Sequence, residues 1–200
     1  MDGVLLDSEA TYRVVWARWA EGLGLDSVHL WPRLAGRRAS DTIAEVAPHL
    51  DPLEEVVKLR ALLLEEQAAL PAMPGAHELL AALEGGSWAL VTSNEEGVIR
   101  EQFERLRLPR PGVVVGGSAV LHGKPDPACF TAAAERLGAA FEDCLVVEDS
   151  PAGVAAGRAA GMTVLALETT HRAELLSGAH RVVATLQDAA PTIRGWVAGD

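Results

Sequence analysis

The sequence predicts an α/β fold: a parallel sheet covered by helices on both faces, carrying one small all-helical insertion near its N-terminus. Three observations predict it. From residue 75 onward, short β-branched runs alternate with longer helical patterns, the sequence form of repeated βα units. Residues 9–74 carry helical spacing and no strand pattern. Finally, 200 residues with 49% hydrophobic content suit one core with one modest insertion.

The elements follow in order. The core is expected to take residues 1–8 and 75–200, and the helical cap residues 9–74. Within the cap, helices are predicted at 10–23, 39–49 and 52–70, and Pro71 to Gly75 has the turn chemistry of a return hinge before a helix over 76–83. Strands are predicted at 88–91, 113–115, 144–147, 163–167 and 181–184, with helices at 95–106, 127–137 and 151–160 between them. Pro127 and Pro151 sit where a helix tolerates proline, in its first turn, and Gly138 and Gly161 stop two of these helices.

Composition excludes several functions. Seventeen Lys and Arg against 28 Asp and Glu set a net charge of −11, which argues against coating nucleic acid or an anionic membrane. No apolar run approaches the roughly 20 residues that span a bilayer, and the N-terminus lacks a basic start and apolar signal core, so a cytoplasmic protein is expected. Cys129 and Cys144 alone build neither a disulfide framework nor a cysteine zinc site.

Sheets of this kind bind ligands beyond the carboxyl ends of their strands, so the polar residues there are the candidates. Thr92-Ser93-Asn94 follows the strand at 88–91, and hydroxyls beside backbone N–H groups suit an anion, although an ordinary helix cap has the same composition. Lys124 lies in Gly123-Lys124-Pro125-Asp126-Pro127, a loop with rigid flanks. Glu148-Asp149 places two carboxylates at a strand end, where a divalent cation with oxygen ligands joins them or where Asp149 or Ser150 caps a helix. Asp2-Gly3 sets a further acid beside a permissive glycine. An anion cradle, a cation and a carboxylate cluster are the parts of metal-assisted phosphoryl transfer.

Four ordered segments resemble the motifs of the haloacid dehalogenase superfamily of phosphatases, in the subfamily with a small helical cap. Asp2-Gly3-Val4-Leu5-Leu6-Asp7-Ser8-Glu9 is similar to the first motif from its second position onward; Thr92, Lys124 in Gly123-Lys124-Pro125, and Glu148-Asp149-Ser150 are similar to the second, third and fourth. The resemblance covers essentially the whole chain and implies a Rossmann-like core and a Mg²⁺ cofactor. It implies Asp2 as general acid and base with a carbonyl on Mg²⁺, Gly3 beside the bound phosphoryl group, and Thr92, Ser93 and Asn94 around that group. It further implies Lys124 as the neutralising cation, contributing charge rather than structure, and Glu148 and Asp149 on the metal, Glu148 directly or through water.

One position departs from the family pattern. The family's nucleophile, the first Asp of Asp-x-Asp, would immediately precede Met1, and the strand carrying it lies at the centre of the family's sheet. The sequence reading therefore expects a missing central strand, a true start upstream, and no hydrolysis by the 200-residue chain. The cap loop Gly36-Arg37-Arg38-Ala39-Ser40-Asp41 is similar to the Gly-x-Arg-Thr-x-Asp stretch of sugar and glycerol phosphatases, which makes Arg37 and Arg38 candidate substrate ligands, with Arg38 favoured by motif position. Lys58, the sole cap lysine, reads as helix surface rather than a Schiff-base lysine. The expected function is a Mg²⁺-dependent phosphatase of a small phosphorylated sugar or polyol, in a monomer or weak dimer. A sugar-phosphate mutase and a non-catalytic phosphate-binding protein are the alternatives.

Overall fold

The computed structural model describes residues 1–27, 30–66 and 70–199. Four helices are described between residues 9 and 66: α1 (Glu9–Gly22), α2 (Trp31–Leu34), α3 (Ala39–Val46) and α4 (Pro52–Glu66). They close around their own apolar cluster, in which Trp16 and Trp19 meet edge to face at 5.3 Å and Ile43, Leu59 and Leu63 are buried. The buried Glu55 accepts from Trp19 Nε1 at 2.9 Å and from the exposed Lys58 at 2.6 Å, so Lys58 is engaged at the helix surface. The predicted helix over 52–70 is described as far as Glu66; residues 67–69 lie outside the described residues, and Leu70 is not helical.

After α5 (Ala76–Ala82), strands and α-helices alternate as far as β4: β1 (Ala89–Val91), α6 (Glu96–Leu106), β2 (Val113–Val115), α7 (Ala128–Leu137), β3 (Leu145–Glu148), α8 (Pro151–Ala159) and β4 (Thr163–Leu167); a 3-10 turn at Ala173–Leu176 then leads to β5 (Arg181–Val183) and α9 (Leu186–Ala198). The third strand sits one residue later than predicted, which brings Glu148 into the strand itself. Two helices carry no sequence prediction, α2 and α9. Pro191 interrupts the helical pattern of α9, yet its start is marked by a reciprocal capping box between Thr185 and Asp188.

All strand pairs are parallel, but they form two separate sheets, β1 with β2 and β3-β4-β5. Between them lies a cavity of about 310 Å³, lined by Trp88 to Val91 on one side and Leu145 to Glu148 on the other, with Met1 at one margin. Among the described residues β1 pairs only with β2 and β3 only with β4, so the facing edges of β1 and β3 have no strand partner. Residues 1–6 form a tight turn, in which the Met1 carbonyl accepts from the amides of Val4, Leu5 and Leu6.

Candidate active site

A cavity of about 120 Å³ opens at the carboxyl ends of β1 and β3, under the cap. Asp2, Gly3, Thr92, Ser93 and Asn94 line it, and so do Lys124, Glu148 and Asp149. Four segments separated by up to 147 positions thus meet at one point, because parallel strands release their chains at the same edge.

Thr92 is buried just past β1, its amide held by the Val115 carbonyl at 3.0 Å, while its hydroxyl accepts from the Asn94 amide at 3.2 Å. Helix α6 begins after Glu95 without a side-chain cap, so Thr92-Ser93-Asn94 is no ordinary capping sequence. Asn94 Nδ2 donates to Asp2 Oδ2 at 2.7 Å and also meets the Tyr12 hydroxyl at 2.9 Å. That bond orients the Asp2 carboxylate and leaves Oδ1 buried with no hydrogen-bond partner among the described residues. Burial pushes the Asp2 carboxyl above its ordinary value against the pull of the nearby α-amino group.

Lys124 and Glu148 form a buried ion pair, with the Lys124 ammonium 4.9 Å from the centre of the Phe130 ring. Desolvation works against both charges, but their mutual attraction holds Glu148 below and Lys124 above the ordinary values. Glu148 Oε2 also accepts from the amide of Asp149 at 3.1 Å and from Ser150 Oγ at 3.0 Å. Both oxygens of Glu148 therefore carry donors. Glu148 is the counter-ion of Lys124. Removing Lys124 would leave a buried carboxylate without its counter-ion, so a structural contribution is expected beside the charge.

Ser150 caps α8 by accepting from the Gly153 amide at 3.1 Å, which releases Asp149 from capping. Asp149 Oδ2 accepts from Thr170 Oγ1, and the α-amino group and Lys124 also favour its charged form. Burial and the adjacent Glu148 charge push its carboxyl up to about 7. Gly3, at φ +64°, allows the close approach, since a Cβ there would lie 2.0 Å from Asp149 Oδ2.

The Asp149 carboxylate, which has no salt bridge among the described residues and lies against Gly3, offers the oxygen donors that suit Mg²⁺, an ion that commonly keeps one or two carboxylates and completes its shell with water and phosphate. Among the described residues no group of three or more His, Cys, Asp or Glu is gathered to hold a metal ion.

The raised Asp149 value has a testable sign. The folded state holds this proton up to about pH 7, whereas an unfolded aspartate loses it near the ordinary 3.8, so stability is lost as pH rises between them. In chelator-treated protein, melting temperature should fall by roughly 5 °C from pH 5 to pH 8, and Asp149→Asn should flatten that slope. An equal slope in the variant, measured by calorimetry, would remove Asp149 as its cause.

The structure separates the two cap arginines. Arg37 lines the cavity and pairs with Glu45 at 2.8 Å, whereas Arg38 is not among the lining residues and is bound elsewhere. Sequence reasoning missed Thr170, Tyr12, Trp16 and Trp31 in the wall. Thr170 stands three residues beyond β4, so the strand-end rule would have reached it. The cap aromatics carry no local signal, because their apolar spacing is that of any core helix.

The match to known proteins agrees with this geometry. Residues 1–161 match the family model of the haloacid dehalogenase-like hydrolases. Hexitol phosphatase A of Escherichia coli is 35% identical over 172 residues, covering 84% of this chain and 80% of that protein. Validoxylamine A 7'-phosphate phosphatase of Streptomyces hygroscopicus subsp. limoneus is 34% identical over 188 residues, covering 90% and 88%. A hydrolase of Pseudomonas syringae of known crystal structure superposes with a TM-score of 0.87 at 25% identity, covering 96% of this chain and 94% of that one. With its motif residues gathered at one sheet edge, the chain belongs to the haloacid dehalogenase-like hydrolases.

Proposed function

We propose that this protein serves a Mg²⁺-dependent phosphomonoester hydrolase activity on small phosphorylated sugars or polyols, through an aspartyl-phosphate on an aspartate immediately preceding Met1 in the active polypeptide. The observation that carries the reading is a buried ammonium, Lys124, sharing one small cavity with Thr92, Asn94 and the unpartnered oxygen of Asp2. The names of the hexitol and validoxylamine 7'-phosphate phosphatases support the substrate class. The upstream aspartate is supported by the free facing edges of β1 and β3, and by Met1, which lines both the gap between the sheets and the polar cavity.

The residues of this chain divide the work. Thr92 and the amides after it hold the transferring phosphoryl group, and Lys124 neutralises the charge spread over its oxygens. Asp2, whose carboxyl burial pushes above its ordinary value, gives its proton to the leaving oxygen and later takes one from the attacking water; Asn94 fixes Oδ2 so that Oδ1 faces this task. Asp149 and the Asp2 carbonyl would hold Mg²⁺, which when bound supplies a positive charge against the phosphoryl oxygens.

The cap side of the cavity offers Arg37, Trp16 and Trp31, a forked donor beside two aromatic faces. In a protein extended upstream by a strand ending in aspartate, hexitol and glycerol phosphates should be hydrolysed faster than aryl phosphate. Arg37→Ala should raise KM for the polyol phosphates about tenfold and leave aryl phosphate nearly unchanged. No hydrolysis of any phosphomonoester with Mg²⁺ present would overturn the reading.

A further inference from the structure

The five N–H donors of Arg38 are all used. Nε and Nη2 fork onto the two oxygens of Asp41, both at 2.8 Å. Nη1 donates to the carbonyls of Gly117 at 3.3 Å and Val120 at 3.1 Å, and Nη2 to that of Leu121 at 3.1 Å. Arg38 and Asp41 belong to the start of the cap helix α3, whereas residues 117–121 belong to the core loop that leads from β2 to Lys124. The fork also presses on that loop further along: a Cβ at Gly123 would lie 2.6 Å from Asp41 Oδ2 and 2.7 Å from Arg38 Nε. Gly123 immediately precedes Lys124. Two neighbouring bonds complete the clasp, Ser93 Oγ to the Gly36 carbonyl at 2.8 Å and the Gly117 amide to the Asn94 carbonyl at 2.8 Å.

We infer that Arg38, oriented by Asp41, is a positioning residue that couples seating of the cap to the placement of the loop carrying Lys124. Three backbone carbonyls of the loop converge on one guanidinium, and a planar fork is the side chain that reaches all of them while keeping its own carboxylate. With the cap lifted, those carbonyls lose their donors and the loop before Lys124 loses its lateral support. The assignment concerns the same cavity as the proposed phosphatase reading, but the contacts stand whatever reaction that cavity performs.

The test uses amide hydrogen exchange on the 200-residue chain, comparing wild type with Arg38→Lys, Arg38→Ala and Asp41→Asn. Exchange within residues 117–124 and 34–38 should accelerate at least tenfold in all three variants, while β4 stays protected as in wild type. Arg38→Lys retains charge but not the fork, so it should fail to rescue. Exchange of 117–124 within twofold of wild type in Arg38→Lys and Asp41→Asn overturns the inference, and so does acceleration spread equally through β4, which would make Arg38 merely structural. A kinetic arm in the upstream-extended protein separates the two readings. Arg38→Lys should lower kcat for polyol and aryl phosphates alike, at least tenfold, because Lys124 serves the phosphoryl group common to both. A rise in KM confined to polyol phosphates would instead make Arg38 a substrate ligand. Absence of activity in the unsubstituted extended protein would sink the phosphatase reading alone, since the exchange result is read independently.

Discussion

Adding an apolar strand that ends in aspartate ahead of Met1 should raise the melting temperature by roughly 10 °C and confer hydrolysis of phosphomonoesters. The stability gain follows from the gap between the two sheets. Filling about 310 Å³ is worth on the order of 7 kcal/mol on the cavity scale. Ordering about five added residues costs roughly 1 to 2 kcal/mol each, and bonds to the free edges of β1 and β3, at about 1 kcal/mol apiece, offset most of that cost. The same strand carrying a central proline should give little of the gain, because proline removes a ladder donor. Activity and stability separate at the final residue. Changing the added aspartate to asparagine should keep the higher melting temperature and lower turnover at least ~10³-fold, since the amide cannot accept the phosphoryl group. Calorimetry and a phosphate-release assay on the short, extended, proline and asparagine forms decide it. Phosphatase activity in the 200-residue chain, with contaminating enzymes excluded, would show that the attack needs no upstream carboxylate.

Lys124→Ala should lose both stability and turnover. The Lys124 and Glu148 side chains are 5% and 6% exposed, and no other cation is bonded to Glu148 among the described residues. Breaking a buried pair costs about 3 to 5 kcal/mol, or roughly 10 °C for a chain of this length. The second site discriminates: Lys124→Met combined with Glu148→Gln should recover most of the melting temperature, because neither buried charge then remains. It should recover no turnover. The phosphoryl group still lacks its cation, and a loss of at least ~100-fold, about 2.7 kcal/mol in the barrier, is expected in the extended protein for both variants. A stable Lys124→Ala protein would return Lys124 to a purely chemical role, whereas an active double variant would remove it from the chemistry.

The motif residues were legible in the sequence for a local reason. A strand followed by polar residues and a helix start is written in a few consecutive letters, so Thr92, Lys124, Glu148 and Asp149 stood out before any contact was known. The strand at 113–115 was legible in the same way, as a valine run between Gly112 and Gly116, and that at 163–167 as an apolar run soon after Gly161. Helix α9 was not, since Pro191 obscures a pattern that the Thr185 cap and packing against α5 stabilise.

What the chain could not disclose locally is how one charge meets another. The sequence by itself determined the α/β class, the order of the motifs and the acids, cation and hydroxyl that gather at the sheet edge. Only the tertiary structure decided that Glu148 serves Lys124, that Asp149 takes its hydrogen bond from Thr170, and that of two adjacent arginines Arg37 faces the cavity while Arg38 clasps the core. Propensity and spacing depend on near neighbours along the chain, whereas these pairings join residues 24 to 83 positions apart, and desolvation, which sets their energies, exists only once the core has closed.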